Sequence, residues 1–158
     1  METRTATLND LDAICRLGDE INRLHHARHP AVFAEPDDLI RDRNFWSGAI
    51  TAEQGNILVA VDRVQVVGFV SVKIIDGNDI TFLKPRTICR IGTIVVSSAH
   101  RRRGVGRALM VAVQGWAHEK SAVEIRLEVF KFNQAAMSFY EQFGFEFQSH
   151  IMVKAIVD

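Results

Sequence analysis

The sequence predicts one α/β domain: a partly antiparallel sheet with helices on its faces. Three observations lead there. The chain has 158 residues, within the roughly 100–200 of a single domain. Its hydrophobic periodicity changes repeatedly between two and 3.6 residues, giving the order β-α-α-β-β-β-α-β-α-β. Two β-branched runs lie close enough to form a hairpin, which makes part of the sheet antiparallel.

Thr3 to Leu8 alternates and reads as a strand, and Asn9 or Asp10 can cap the helix that follows. That helix carries Leu11, Ile14, Leu17, Ile21 and Leu24 at helical spacing. Pro30 and Pro36 end it, and Asp37 and Asp38 stand where first-turn carboxylates favour a second helix bearing Leu39, Phe45, Trp46 and Ile50. Ile57 to Val61 and Val64 to Val72 are the hairpin strands, joined at Asp62 and Arg63 without a glycine.

A turn region around Asp76, Gly77, Asn78 and Pro85 precedes a strand over Ile88 to Val96. Next come a helix from Val105 to Lys120 with Val105, Leu109, Ala112, Val113 and Trp116 on one face, and a strand from Val123 to Val129. A helix from Asn133 to Phe143 and a strand from Phe145 to Val157 close the chain. No repeat or linker interrupts residues 1–158, so the whole chain reads as a single domain.

Composition narrows the function. Nineteen basic residues balance nineteen acidic ones, which removes the long-range pull toward nucleic acid or anionic lipid. Cys15 and Cys89 occur outside any Cys-x-x-Cys or zinc spacing, so neither a disulfide scaffold nor a metal site is indicated. The N-terminus lacks the apolar stretch of a secretory signal, and no membrane-length apolar run occurs, which predicts a cytoplasmic protein.

The chemistry concentrates between Val96 and Leu109, where His100, Arg101, Arg102, Arg103, Gly104, Val105, Gly106 and Arg107 join a strand to a helix. The first N–H groups of a helix have no partner inside it and carry the positive end of its dipole, so a pyrophosphate can dock there. Gly104 and Gly106 let backbone approach phosphate, and arginines add charge-assisted contacts. A Walker lysine motif is absent, and Leu109 stands where a dinucleotide fold places its third glycine or alanine.

Arg101-x-x-Gly104-x-Gly106 resembles the coenzyme A pyrophosphate signature Gln/Arg-x-x-Gly-x-Gly/Ala of the GNAT superfamily of N-acetyltransferases. Ile94-Val95-Val96 is similar to the end of that family's fourth strand, and Asn133 through Phe145 to its closing segment, so the specific likeness runs from about Thr87 to Phe145. The resemblance implies the acyl-CoA N-acyltransferase fold: a mixed, mostly antiparallel sheet flanked by helices, with strands four and five splayed and pantetheine in the gap. It further implies acetyl-CoA as cosubstrate, bound by main-chain groups of Ile94 and Val96, by the Arg101, Arg102, Arg103, Gly104, Val105 and Gly106 backbone, by loop arginines including Arg107, and by Asn133.

Asn133 and Tyr140 lie seven residues apart, nearly two helical turns, on a face with Ala136 and Met137. The family role implied for Tyr140 is protonation of the departing thiolate, and a phenol of pKa about 10 can supply that proton to a thiol of pKa about 8.5. The residues by themselves also allow Asn133 a helix-capping role and Tyr140 a packing role.

The base departs from the family pattern. Many relatives use a glutamate on the fourth strand, whereas no Asp or Glu occurs between Asp79 and Glu119, and that strand offers Cys89, Arg90 and Thr93. Glu20, His25, His26, His29, Glu35 or a water wire remain as ways to deprotonate the amine. The expected acceptor is a primary amine, of a small molecule or of a protein N-terminus or lysine. A non-catalytic acyl-CoA-binding module is the rival reading. Relatives often dimerise, and these residues select neither a monomer nor a homodimer.

Overall fold

The computed structural model describes residues 1–36, 39–77 and 81–156. Asp37, Asp38, Asn78, Asp79 and Val157, named above, lie outside the described residues. Two compact units make up the chain, Met1–Glu128 and Val129–Asp158.

The first unit contains β1 (Glu2–Thr5), α1 (Leu11–Arg28), α2 (Leu39–Ile50), β2 (Gly55–Asp62), β3 (Gln65–Gly77), β4 (Arg86–Val96), α3 (Val105–Glu119) and β5 (Glu124–Arg126). Its sheet has the order β1-β2-β3-β4-β5. The first three pairings are antiparallel and β4–β5 is parallel, which bears out the mixed, mostly antiparallel architecture. The hairpin closes from Asp62 to Gln65, and Arg63 adopts φ 58 in place of the missing glycine.

Strand alternation sends side chains to two cores. Ile57, Val59, Phe69 and Val95 pack with Ala6, Leu11, Ile14, Leu17 and Trp46 under α1 and α2. Trp46 meets Phe69 edge-on at 5.0 Å, and it crosses α1 where a Cβ on Gly18 would stand 2.7 Å from the indole nitrogen. Phe45, expected on the apolar face of α2, is exposed and meets Trp46 edge-on at 4.8 Å.

On the other face α3 buries Val105, Leu109, Met110, Val113 and Ala117. A Cβ on Gly68 would lie 3.1 Å from Val105, 3.3 Å from Leu109 and 2.9 Å from the Val95 carbonyl. Glycine at 68 therefore sets how closely the first turn of α3 approaches the end of β4.

Asp10 does not cap α1 through its side chain. Its carboxylate turns back to accept the Thr7 N–H at 2.8 Å and a bidentate pair from Arg4 at 2.8 and 2.9 Å. The guanidinium, ahead of the Thr7 amide, holds this buried acid down at a pKa of about 2.

The second unit contains α4 (Gln134–Glu141), shorter than the helix expected over 133–143 because Asn133 caps it from outside. The strand expected over Val123–Val129 pairs only at Glu124–Arg126, and residues 146–156 form no strand. Alternation in Phe145, Phe147, Ile151 and Val153 supplies propensity, but a strand exists only where a partner completes its ladder.

Candidate functional site

The strands of the sheet part company at Arg90. The parallel ladder pairs Ile88 with Glu124, Cys89 with Ile125 and Arg90 with Arg126, and β4 then continues to Val96 without a partner on that side among the described residues. A bulge lies at the same place: Ser71 pairs with Thr93 and Val72 with Ile91, leaving Gly92 as the extra residue.

The bulge decides which backbone groups meet the open side. Before it, Val123 donates to the Thr87 carbonyl at 2.9 Å, so odd-numbered residues of β4 turn toward β5. After it, the Thr93 N–H donates to Ser71 Oγ and the Ser97 N–H to the Val67 carbonyl, both at 2.9 Å, so odd-numbered residues turn toward β3. Alternation then points the N–H and C=O of Ile94 and Val96 away from β3, at the unpaired edge. Arg101 reaches that edge from the loop, its Nε donating to the Val96 carbonyl at 3.4 Å.

The open edge leads into the loop. After a 3₁₀ turn at Ser98–His100, Arg102 takes φ 60 and Gly104 φ 81, and Gly104 occupies the N-cap of α3. No side chain caps that terminus, and the Gly104 carbonyl accepts the Ala108 N–H at 3.0 Å. The amides ahead of Ala108 therefore have no acceptor earlier in the helix. Arg101, Arg102, Arg103, Gly104 and Arg107 are exposed, Gly106 is half-buried, and the Val105 side chain is anchored in the core. Backbone donors, dipole and guanidinium groups thus share one concentrated positive region.

Of the base candidates, Glu20 lies beside this loop, where it accepts the Ser98 N–H at 3.3 Å. His25 Nδ1 bonds the Ile21 carbonyl and His26 Nδ1 the Phe33 carbonyl, each at 2.8 Å, and the His25 ring lies 4.7 Å from that of Phe33. His29 closes α1 through its N–H to the His25 carbonyl, and Glu35 contributes its carbonyl to Arg41. Among the described residues these contacts lie on α1, on the connection after it and on the loop before α3. On β4, Cys89 is fully buried and burial pushes its thiol up to about 11, which removes it as a thiolate at neutral pH.

One carboxylate escaped the sequence reading. Glu128 stands two residues beyond Arg126, the last paired residue of β5, and its carboxylate lies 3.9 Å from Arg90. Alternation of Glu124, Arg126 and Glu128 in a strand was its only sequence signal.

In the second unit, Asn133 Oδ1 accepts the Ala136 N–H at 3.2 Å, so its carbonyl caps α4. Tyr140 is buried, with the rings of Phe139 and Phe145 at 5.5 and 5.7 Å, and burial pushes its phenol up to about 12. It is therefore protonated throughout the working range of pH.

An α/β sheet thus opens beside an uncapped, arginine-flanked helix start, which sets unpaired main-chain groups of β4 next to a positive region. The chain belongs to the GNAT acetyltransferase family, whose model, "Acetyltransferase (GNAT) family", matches residues 19–145. That family uses acetyl-CoA. No curated protein matches the sequence.

Among solved structures, a mutant of the BH1408 protein from Bacillus halodurans is similar with a TM-score of 0.93 at 22% identity, covering 99% of this chain and 100% of that one. The aminoglycoside 6'-N-acetyltransferase AAC(6')-IG from Acinetobacter haemolyticus gives 0.76 at 17%, covering 100% of each. AAC(6')-Iy, solved with a bisubstrate analogue, CoA-S-monomethyl-acetylneamine, gives 0.72 at 19%, covering 99% and 98%. No helix among the described residues is long and apolar enough to cross a membrane.

Proposed function

We propose that this chain is an acetyl-CoA-dependent N-acetyltransferase that moves an acetyl group to a primary amine of a small molecule by direct attack in a ternary complex. The carrying observation is the continuity between the unpaired backbone of Ile94 and Val96 and the uncapped start of α3 at Gly104. The family match spans both compact units, which supports their acting as one domain over residues 1–158. Two similar structures are aminoglycoside acetyltransferases or hold a coenzyme A conjugate of an aminoglycoside, which favours a polyamino small molecule over a protein amine.

In this reading, main-chain groups of Ile94 and Val96 bind pantetheine, and the backbone from Arg101 to Gly106 takes the pyrophosphate, with Arg101, Arg102, Arg103 and Arg107 adding charge. The Asn133 amide contacts the carrier in addition to capping α4. The carrier supplies an activated thioester, and Tyr140 delivers a proton to the leaving sulfur. Tyr140 is protonated at neutral pH, so its proton is present when the thiolate develops.

An assay that traps free thiol tests the proposal, with acetyl-CoA and an amine panel containing n-butylamine, spermidine and neamine. Thiol release that depends on an amine is expected. Binding of acetyl-CoA with no release for any amine would favour the non-catalytic module.

A further inference from the structure

We propose that Glu128 is the general base that deprotonates the attacking amine, a role that rests on the acetyltransferase reading above. The β4 strand has no carboxylate, which turns attention to the neighbouring elements. The sheet face under α1 and α2 changes character at the bulge. Phe69 and Val95 are buried apolar residues there, and alternation continues the same face through Ser71 and Lys73 on β3, which pair with Thr93 and Arg90. Glu128 joins this polar patch through Arg90, at the point where β4 and β5 cease to pair.

Glu124 on β5 and Glu128 just beyond it stand at that end of the sheet, and their surroundings differ. Glu124 is held by both Arg86, at 2.7 Å, and Arg126, and its side chain is 23% exposed. Glu128 has one loose contact, 3.9 Å from Arg90, and its side chain is 53% exposed. Both oxygens of Glu124 are taken, Oε2 by Arg86 and Oε1 by Arg126, so neither is open to a substrate amine. Glu128 keeps its carboxylate open to a ligand. Arg90 is the charged group in contact with Glu128, and Lys73 and Arg126 pair with Arg90 on the strands to either side.

The step balances as follows. A proton passes from the substrate ammonium to Glu128 and on to solvent. The neutral nitrogen forms the N–C bond to the acetyl carbon, the C–S bond breaks, and its electron pair leaves on sulfur, which takes the Tyr140 proton. The second nitrogen proton, made acidic by amide formation, restores the phenol.

Glu128→Gln is tested with the panel amine that wild type turns over fastest. Turnover should fall about 100-fold at pH 7, with acetyl-CoA affinity by calorimetry within twofold of wild type. The kcat/KM of the variant should climb with unit slope in pH toward the pKa of the amine, where wild type levels off. With side-chain ¹³C-carboxyl glutamate labels, adding the amine and coenzyme A should move the Glu128 resonance, assigned by its loss in the variant, and leave that of Glu124 in place. Glu124→Gln should retain turnover. Wild-type turnover and pH profile in Glu128→Gln, or a stationary Glu128 resonance, would overturn the assignment while leaving the acetyltransferase reading intact. Absence of turnover in wild type would remove both.

Discussion

Phe145 donates its backbone N–H to the Tyr140 carbonyl at 3.2 Å while their rings lie 5.7 Å apart. Together with the Gly144 N–H to the Glu141 carbonyl at 3.0 Å and φ 79 at Gly144, this is a Schellman termination of α4, complete with its apolar contact. The motif that ends the helix also packs the one tyrosine of the chain. Gly144→Ala meets no protein atom within 4 Å, so its cost is the left-handed backbone alone, about 1–2 kcal/mol. Thermal unfolding should show that loss, and turnover should fall with it.

Tyr140→Phe keeps the ring and removes the proton. Turnover should drop by about 100-fold, while calorimetry shows acetyl-CoA affinity within twofold of wild type. Unchanged turnover would take Tyr140 out of the mechanism.

Ser71→Ala leaves the Thr93 N–H without its acceptor at the bulge. A part-buried donor left unpaired costs about 1–3 kcal/mol, and the segment it loosens presents Ile94 and Val96. Both the unfolding free energy and acetyl-CoA affinity should fall, and Ser71→Thr, which keeps the hydroxyl, should recover most of each. Affinity equal to wild type in the alanine variant would detach the bulge from carrier binding.

Asp10 makes stability depend on acid. Its folded pKa of about 2 lies below the ordinary 3.8, so its contribution is present above 3.8 and lost as pH falls through about 2. Asp10→Asn should be less stable at pH 7 by up to about 2 kcal/mol, and denaturant midpoints should show wild type losing its advantage between those two pH values. Equal pH dependence in the two proteins would refute the linkage.

Where local chemistry decides, the residues could be read directly. The periodicity of α3 and the glycine at 104 announced the loop, because a helix start and a left-handed cap are set within a few residues. The hairpin was legible despite lacking glycine, since Arg63 accepts the left-handed conformation itself. Non-local pairing was harder. Asp10 was read as a cap but serves Arg4 across the chain turn, and Phe145 to Val157 read as a strand although no partner completes a ladder over 146–156 among the described residues. Glu128 was invisible for the same reason: its place at the divergence of β4 and β5 follows from register, which no spacing along the chain encodes.

The central claim is that the unpaired edge of β4 and the uncapped start of α3 together hold coenzyme A. Calorimetric titration of wild type and Gly104→Val with acetyl-CoA tests it most directly. Valine at φ 81 forces the loop out of shape, so wild type should bind in the micromolar to millimolar range, about 1 μM to 1 mM, and the variant should give no heat of binding. Equal affinity in the two proteins, or no binding by wild type, would contradict the account.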